Sequence, residues 1–214
     1  MFSKLRAIFI NTQINKIYLK NYKKNGTTPK SMFWNSSFNQ TKRFEELIDF
    51  LLVIEGITKK ISISDVGCGY GALYEFLREN NRYKNIVYSG VDINKKFIDD
   101  CKKLYKNINF KVSSYPREKV NYCLMSGTYN LTKVKNVMVW EQYIINNILE
   151  CLNNVDHGVI FNLQYNNKTI IRNNIFYCEP LRILNLIQVY GFEIKYYKSK
   201  YFNRDVIFII KKLR

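Results

Sequence analysis

The sequence predicts an α/β fold: a mostly parallel sheet with helices on both faces and an antiparallel strand pair at its C-terminal end. Two observations carry this. From Ile61 onward, short apolar runs alternate with stretches of helical spacing, and such alternation builds a parallel sheet covered on both sides. At the end of the chain, Gly191–Tyr197 and Asp205–Ile210 are strand-like runs joined by a short turn. So short a link permits only antiparallel pairing.

Residues 1–60 read as a helical prelude, or cap, and residues 61–214 as the α/β domain. The first prelude helix runs to Lys24, where Asn25-Gly26-Thr27-Thr28-Pro29 breaks it, because Asn-Gly and proline both favour turns. A second helix over Asn39–Ile57 places Phe44, Leu47, Ile48, Leu51 and Leu52 on one face. Between them lies SMFWNSSFNQ, aromatic and polar without a clear period. Strands are predicted at Ile61–Val66, Ile86–Val91, Ile108–Val112, Val120–Met125 and Val159–Gln164. Helices are predicted at Ala72–Asn80, Asn94–Tyr105, Val137–Asn153 and Leu181–Tyr190. On the long helix Trp140, Ile144, Ile148 and Leu152 recur four apart, a core-facing stripe.

A chain of 214 residues suits one domain with an N-terminal extension. The five cysteines form no CxxC pair, which predicts reduced thiols in a cytoplasmic protein and no zinc site. No other cluster of His, Asp and Glu suggests a metal. The first apolar run is broken by Asn11 and Thr12, so neither a signal peptide nor a membrane span is expected. The net charge of +17 has two readings. It is either the solvated surface of a chain rich in Lys, Asn, Ile and Tyr, or a surface for nucleic acid such as RNA, an anionic membrane or an acidic substrate. For the second, Lys16, Lys20, Lys23, Lys24 and Lys30 with Tyr18 and Tyr22 are the strongest candidates.

The strand Ile61–Val66 runs directly into Gly67-Cys68-Gly69-Tyr70-Gly71, and a helix opens at Ala72. A strand, a glycine loop and a helix start bring backbone N–H groups and a positive helix end beside a ligand. Asp92 ends the next strand, placed to hold ribose hydroxyls. The third glycine falls two positions after the second, where the dinucleotide fingerprint puts it three after. No Gly-Lys-Ser/Thr follows, which excludes a P-loop.

These residues resemble the class I S-adenosylmethionine-dependent methyltransferases. DVGCGYG looks like their first motif and GVDIN like their second. TPKSMFWNSSFNQTKRFEEL and SGTYN are similar to a small bacterial-type subgroup with a helical prelude, so the likeness covers Thr28 to the C-terminus. It implies a Rossmann-like, seven-stranded sheet and S-adenosylmethionine as cofactor along the C-terminal strand ends. By the same resemblance, Asp65 contacts the methionine amino group, and Gly67, Cys68, Gly69 and Gly71 let the backbone approach the ligand. Asp92 holds the ribose, Ile93 packs on adenine, and Ser114 stands where the family commonly has an acidic side chain. Ser126 and Gly127 line the cleft near the methyl group, Arg43 faces the methionine carboxylate, and Gln40 and Trp34 cover the cofactor. Local alternatives stand beside these. Asp65 could cap the following turn and Asp92 the helix from Asn94, Gln40 and Arg43 could be surface polar residues, and Trp34 could be a core anchor.

For the acceptor, Ser126-Gly127-Thr128-Tyr129-Asn130 is not the Asp/Asn-Pro-Pro-Tyr loop of amine-directed nucleic-acid methyltransferases. Tyr129, Asn130 and Tyr165 are candidate substrate contacts, against a purely structural role in their loops. His157, the only histidine, precedes the fifth predicted strand and so belongs at the edge away from the cofactor. Cys123, inside the fourth strand, reads as core, and no catalytic residue is assigned. The expected function is methyl transfer to oxygen or nitrogen of a small or glycan-linked polar acceptor. The alternatives are an RNA methyltransferase and a non-catalytic binding module of the same fold. Oligomeric state is not legible.

Overall fold

The computed structural model describes residues 3–212; residues 1–2 and 213–214, at the ends of the two predicted segments, lie outside the described residues. Helix α1 (Lys4–Asn25) is capped by Ser3, whose hydroxyl accepts the Arg6 N–H, and stops at Gly26 with φ 63°. Its buried Ile10, Ile14 and Tyr22 and half-buried Tyr18 recur four apart, one stripe toward the body. A 3-10 turn at Pro29–Met32 leads to α2 (Ser37–Glu55). That helix opens before the expected Asn39 because the Ser36 hydroxyl caps the Asn39 N–H at 3.1 Å. It closes before the expected Ile57, at Gly56.

Strands β1 (Ile61–Val66), β2 (Ile86–Asp92), β3 (Asn109–Val112), β4 (Val120–Met125) and β5 (Val155–Tyr165) are parallel, in the order β3-β2-β1-β4-β5. All seven expected strands are present, and a short hairpin brings the sheet to nine. The additions are β6 (Ile170–Arg172) and β7 (Ile175–Cys178), antiparallel to each other, in a segment that reads as a loop. Asn173 and Asn174 form the link with φ 52° and 62°. Asparagine tolerates that left-handed backbone, so a two-residue turn forms without glycine. β7 pairs with β5 at Gln164–Tyr165 and bridges Leu131, extending the sheet past the end of β4. β8 (Glu193–Lys198) and β9 (Asp205–Lys211) are the expected antiparallel pair, with β9 against β5.

β5 begins at Val155, ahead of the expected Val159. Asp156-His157-Gly158 hides its period, yet Gly158 fits the sheet closely: a Cβ there would lie 2.1 Å from the Ile210 carbonyl oxygen. His157 therefore sits inside the strand, near its start. Its Nδ1 is 3.2 Å from Glu55 Oε1 and its ring meets Tyr122 edge-on.

Helices α3 (Ala72–Arg78), α4 (Lys95–Leu104), α5 (Val137–Asn153) and α6 (Pro180–Gln188) complete the layers. Strand alternation sends Val159, Phe161 and Leu163 to one core and Ile160 to the other. The first core holds the α5 stripe with Ile10 and Ile14 of α1, and the second holds the predicted face of α2 with α3 and α4. The prelude helices thus pack on opposite faces of the sheet. Sheet growth reverses between β1 and β4, which opens a crevice at their carboxyl ends.

Buried Glu46 ties α2 to the β8–β9 connection, accepting from the Ser199 hydroxyl at 2.6 Å and the Lys200 N–H at 2.7 Å. Glu46→Ala strands both donors and should lower stability by about 1–3 kcal/mol. Urea melts read the loss, and an unshifted midpoint would refute this role.

Candidate active-site cleft

At the reversal point a cleft lies between the strand ends and the prelude, with about 970 Å³ of empty space that includes open solvent. Its floor is Asp65 to Gly69 with Asp92 and Ile93; α1 contributes Ile14, Asn15 and Tyr18, and α5 contributes Trp140, Tyr143 and Asn147. Met32, Trp34 and Gln40 close it from the segment between α1 and α2 and the start of α2.

The glycine loop is folded by β2. Gly67 and Cys68 both donate their N–H groups to the Val91 carbonyl, at 2.8 and 3.1 Å. The Gly69 N–H donates to Asp92 Oδ2 at 3.0 Å. Gly69 has φ 56°, and a Cβ there would press on Met32 Sδ at 3.0 Å, so both backbone and space favour glycine. Asp92 Oδ1 also accepts the Asn94 N–H at 2.7 Å, so it does bind the turn into α4, while the Asn94 side chain caps that helix. A carboxylate has about four acceptor sites, so Asp92 holds two backbone N–H groups with capacity left for a ligand.

Asp65, on β1, is 4% exposed and accepts the Tyr88 hydroxyl at 2.9 Å. Burial raises its pKa from 3.8 to about 7, opposed by the Tyr88 hydrogen bond and reinforced by the Asp92 charge. Burial likewise raises Asp92 to about 6, opposed by the Asn94 and Gly69 N–H groups. No Lys, Arg or His stands among the described residues lining the cleft. The chamber therefore holds two costly carboxylates and no cation of its own, an arrangement that a positive ligand relieves.

No protein-family model matches the chain. A Mycobacterium tuberculosis protein, named by inference a methyltransferase, is 26% identical over 131 residues, 58% of this chain and 77% of that one. Among solved structures, a SAM-dependent methyltransferase of Leishmania major superposes with TM-score 0.69 at 10% identity, covering 92% of this chain and 82% of its own. Magnesium protoporphyrin IX methyltransferase of Synechocystis, with bound SAH, gives 0.58 at 12% identity, covering 95% and 96%. The fold is that of the class I S-adenosylmethionine-dependent methyltransferases.

Within this methyltransferase fold, Asp65, Gly67, Cys68, Gly69, Asp92, Ile93, Ser114, Ser126, Gly127, Gln40, Trp34 and Tyr129 all line the cleft. Gln40 accepts the Tyr70 hydroxyl at 2.8 Å, and Ser126 Oγ is buried without a hydrogen-bond partner. Trp34 lies against Gly127, where a Cβ would come within 2.7 Å of its ring. Phe33, turned into the left-handed region at φ 61°, precedes it and stays exposed.

Four expected residues lie outside the lining. Gly71 opens α3 at φ 84°. Arg43 stands behind Trp34, its guanidinium 4.9 Å from the indole and 3.8 Å from the Phe202 ring, and its Nε donates to Asp205 at 2.5 Å. Asp205 also accepts from Gln164 and Asn162, and Asn162 Oδ1 accepts the Gly127 N–H at 2.7 Å. Asn130 accepts the Gln164 N–H through its side chain and the Phe176 N–H through its carbonyl, so it joins β5 to β7. The Tyr165 hydroxyl donates to Asn167.

Sequence reasoning missed Asn15, Tyr18, Tyr143 and Asn147. The Asn15 amide donates to the Ile93 carbonyl at 3.1 Å, and the Tyr143 hydroxyl to Asn11 at 2.5 Å. Tyr22, at the other end of α1, donates to Asp100 at 3.0 Å. The four-residue spacing of Ile10, Ile14, Tyr18 and Tyr22 was the available signal.

Both carboxylates have folded pKa values above their unfolded ones, so the ligand-free protein binds more protons than the unfolded chain between pH 4 and 7. Their contribution to stability falls as pH rises through that window. Asp65→Asn keeps an acceptor for Tyr88 and should stabilise the free protein by about 1–3 kcal/mol at pH 8 and flatten the slope. Denaturation at pH 5 and pH 8 decides it; an unchanged slope argues against a buried, strained carboxylate.

Proposed function

We propose that this chain is an S-adenosylmethionine-dependent methyltransferase that methylates oxygen or nitrogen of a small or glycan-linked polar acceptor. The observation carrying this reading is the pair of buried carboxylates, Asp65 and Asp92, at neighbouring strand ends beside a left-handed glycine loop. An ammonium group answers the charge of Asp65, and a pair of ribose hydroxyls suits the spare acceptor sites of Asp92. Ile93 offers an apolar surface to a base, Ser114 a hydroxyl beside it, and Ser126 Oγ an unmet hydrogen bond. Arg43 contributes from behind, by holding Trp34 against Gly127.

Bound there, the cofactor supplies an electrophilic methyl group on a sulfonium, transferred by in-line displacement. The work left to the protein is to align the acceptor and keep water out. Trp34 and Tyr129 provide aromatic walls that favour a cation. Burial pushes the phenols of Tyr18, Tyr129 and Tyr143 up, so they stay protonated and act as hydrogen-bond donors. The uncharged polar lining of Asn15, Gln40 and Asn147 supports a neutral, hydrogen-bonding acceptor rather than a phosphate chain.

Calorimetry with S-adenosylmethionine should show binding that weakens as pH drops through about 7, where Asp65 takes up a proton. Asp92→Ala should weaken it by about tenfold or more. Absence of binding by folded protein sinks the whole reading. Radiolabelled transfer into separated metabolite, glycan, protein and RNA fractions then tests the acceptor, and label confined to RNA overturns that half.

A further inference from the structure

Helix α1 has a second face that the cleft does not use. At about 100° per residue Leu5 falls directly opposite Ile14, with Ile8 and Phe9 on either side. Lys16, Lys20 and Lys23 continue that outer face toward the C-terminal end. Leu5 is 79% exposed, Ile8 60% and Phe9 63%. Among the described residues no other helix presents three exposed large apolar side chains within one turn.

The charge around them is one-sided. Helix α1 holds six Lys and Arg and no Asp or Glu, and residues 1–44 hold nine and none, in a chain of 34 against 17. On α4, by contrast, Lys95 and Lys96 each pair with an aspartate one turn on. Basic residues alone suit any polyanion. Aliphatic and aromatic side chains projecting from the same face suit the boundary between lipid headgroups and acyl chains.

We propose that the outer face of α1 docks the protein on an anionic lipid surface. Leu5, Ile8 and Phe9 enter the headgroup–acyl boundary, and Lys16, Lys20 and Lys23 lie over the acidic headgroups. The helix lies in the interface without crossing it, in keeping with the lack of any helix long and apolar enough to span a membrane among the described residues. Because Ile14, Asn15 and Tyr18 on the inner face line the cleft, docking would set the cleft about 10 Å, one helix diameter, from the lipid. This inference does not depend on which cofactor the cleft binds.

The test is flotation of the full chain with vesicles of phosphatidylcholine alone and with about 30% phosphatidylserine added. Binding to the acidic vesicles is expected, with partition at least about tenfold lower for the combined Leu5→Ser, Ile8→Ser, Phe9→Ser variant. Lys16→Glu, Lys20→Glu, Lys23→Glu should reduce it similarly, as should added salt. The substituted side chains point outward, so thermal midpoints should match the parent and report intact folding. If a variant melts early, the parent decides alone: equal partition to both vesicles overturns the proposal. So does undiminished binding by a folded serine variant, or salt-sensitive binding to single-stranded RNA with none to vesicles.

Discussion

The carboxylate of Asp92 is the joint on which the cleft turns. It gathers the Gly69 N–H from the loop after β1 and the Asn94 N–H from the turn into α4. Two loops from different strands are thereby fixed to one side chain, and the left-handed glycine backbone is held in a single shape. Hydrogen bonds to a charged acceptor contribute roughly 1.5–3 kcal/mol each, comparable with the cost of keeping a carboxylate in a buried site. The balance is close, which is why its pKa rises only to about 6 despite burial.

A second polar chain fixes the opposite wall. Arg43 of α2 reaches Asp205 of β9, Asp205 engages Asn162 of β5, and Asn162 holds the Gly127 N–H. Removing one partner of a buried ion pair costs about 3–5 kcal/mol, so the prelude is coupled to the sheet far more firmly than a surface cap would be. The aromatic stack of Trp34 and Phe202 on the guanidinium adds packing to that link. The wall against which Trp34 rests is set by residues distant in sequence.

That distance explains what was legible in the chain. The strand, loop and acid at Ile61–Gly71 and Asp92 are local patterns, and period and glycine spacing express them directly. The antiparallel finish was legible for the same reason. The β6–β7 hairpin was not, because Asn173-Asn174 lacks the glycine that usually marks such a turn and each strand is too short to show a period. Arg43 reads as a surface polar residue when its own helix is considered alone, and as a ligand contact only by the family resemblance. Only the pairing of β9 with β5 brings Asp205 to it. Tyr143 and Asn147 lie beside the predicted stripe of Trp140, Ile144, Ile148 and Leu152 and were not singled out, since spacing identifies the inward face of α5 without telling core from cleft.

The attachment of α1 to the body differs in kind from the pairing of the strands. The helix crosses the mouth fastened at Asn11 to Tyr143, at Asn15 to the Ile93 carbonyl and at Tyr22 to Asp100. None of these bonds belongs to the sheet ladder, so lifting the helix leaves every strand paired. Lifting it would break these hydrogen bonds and expose the apolar stripe of Ile10 and Ile14. The inner face of this helix is thus a wall of the cleft that is joined to the sheet by side chains alone.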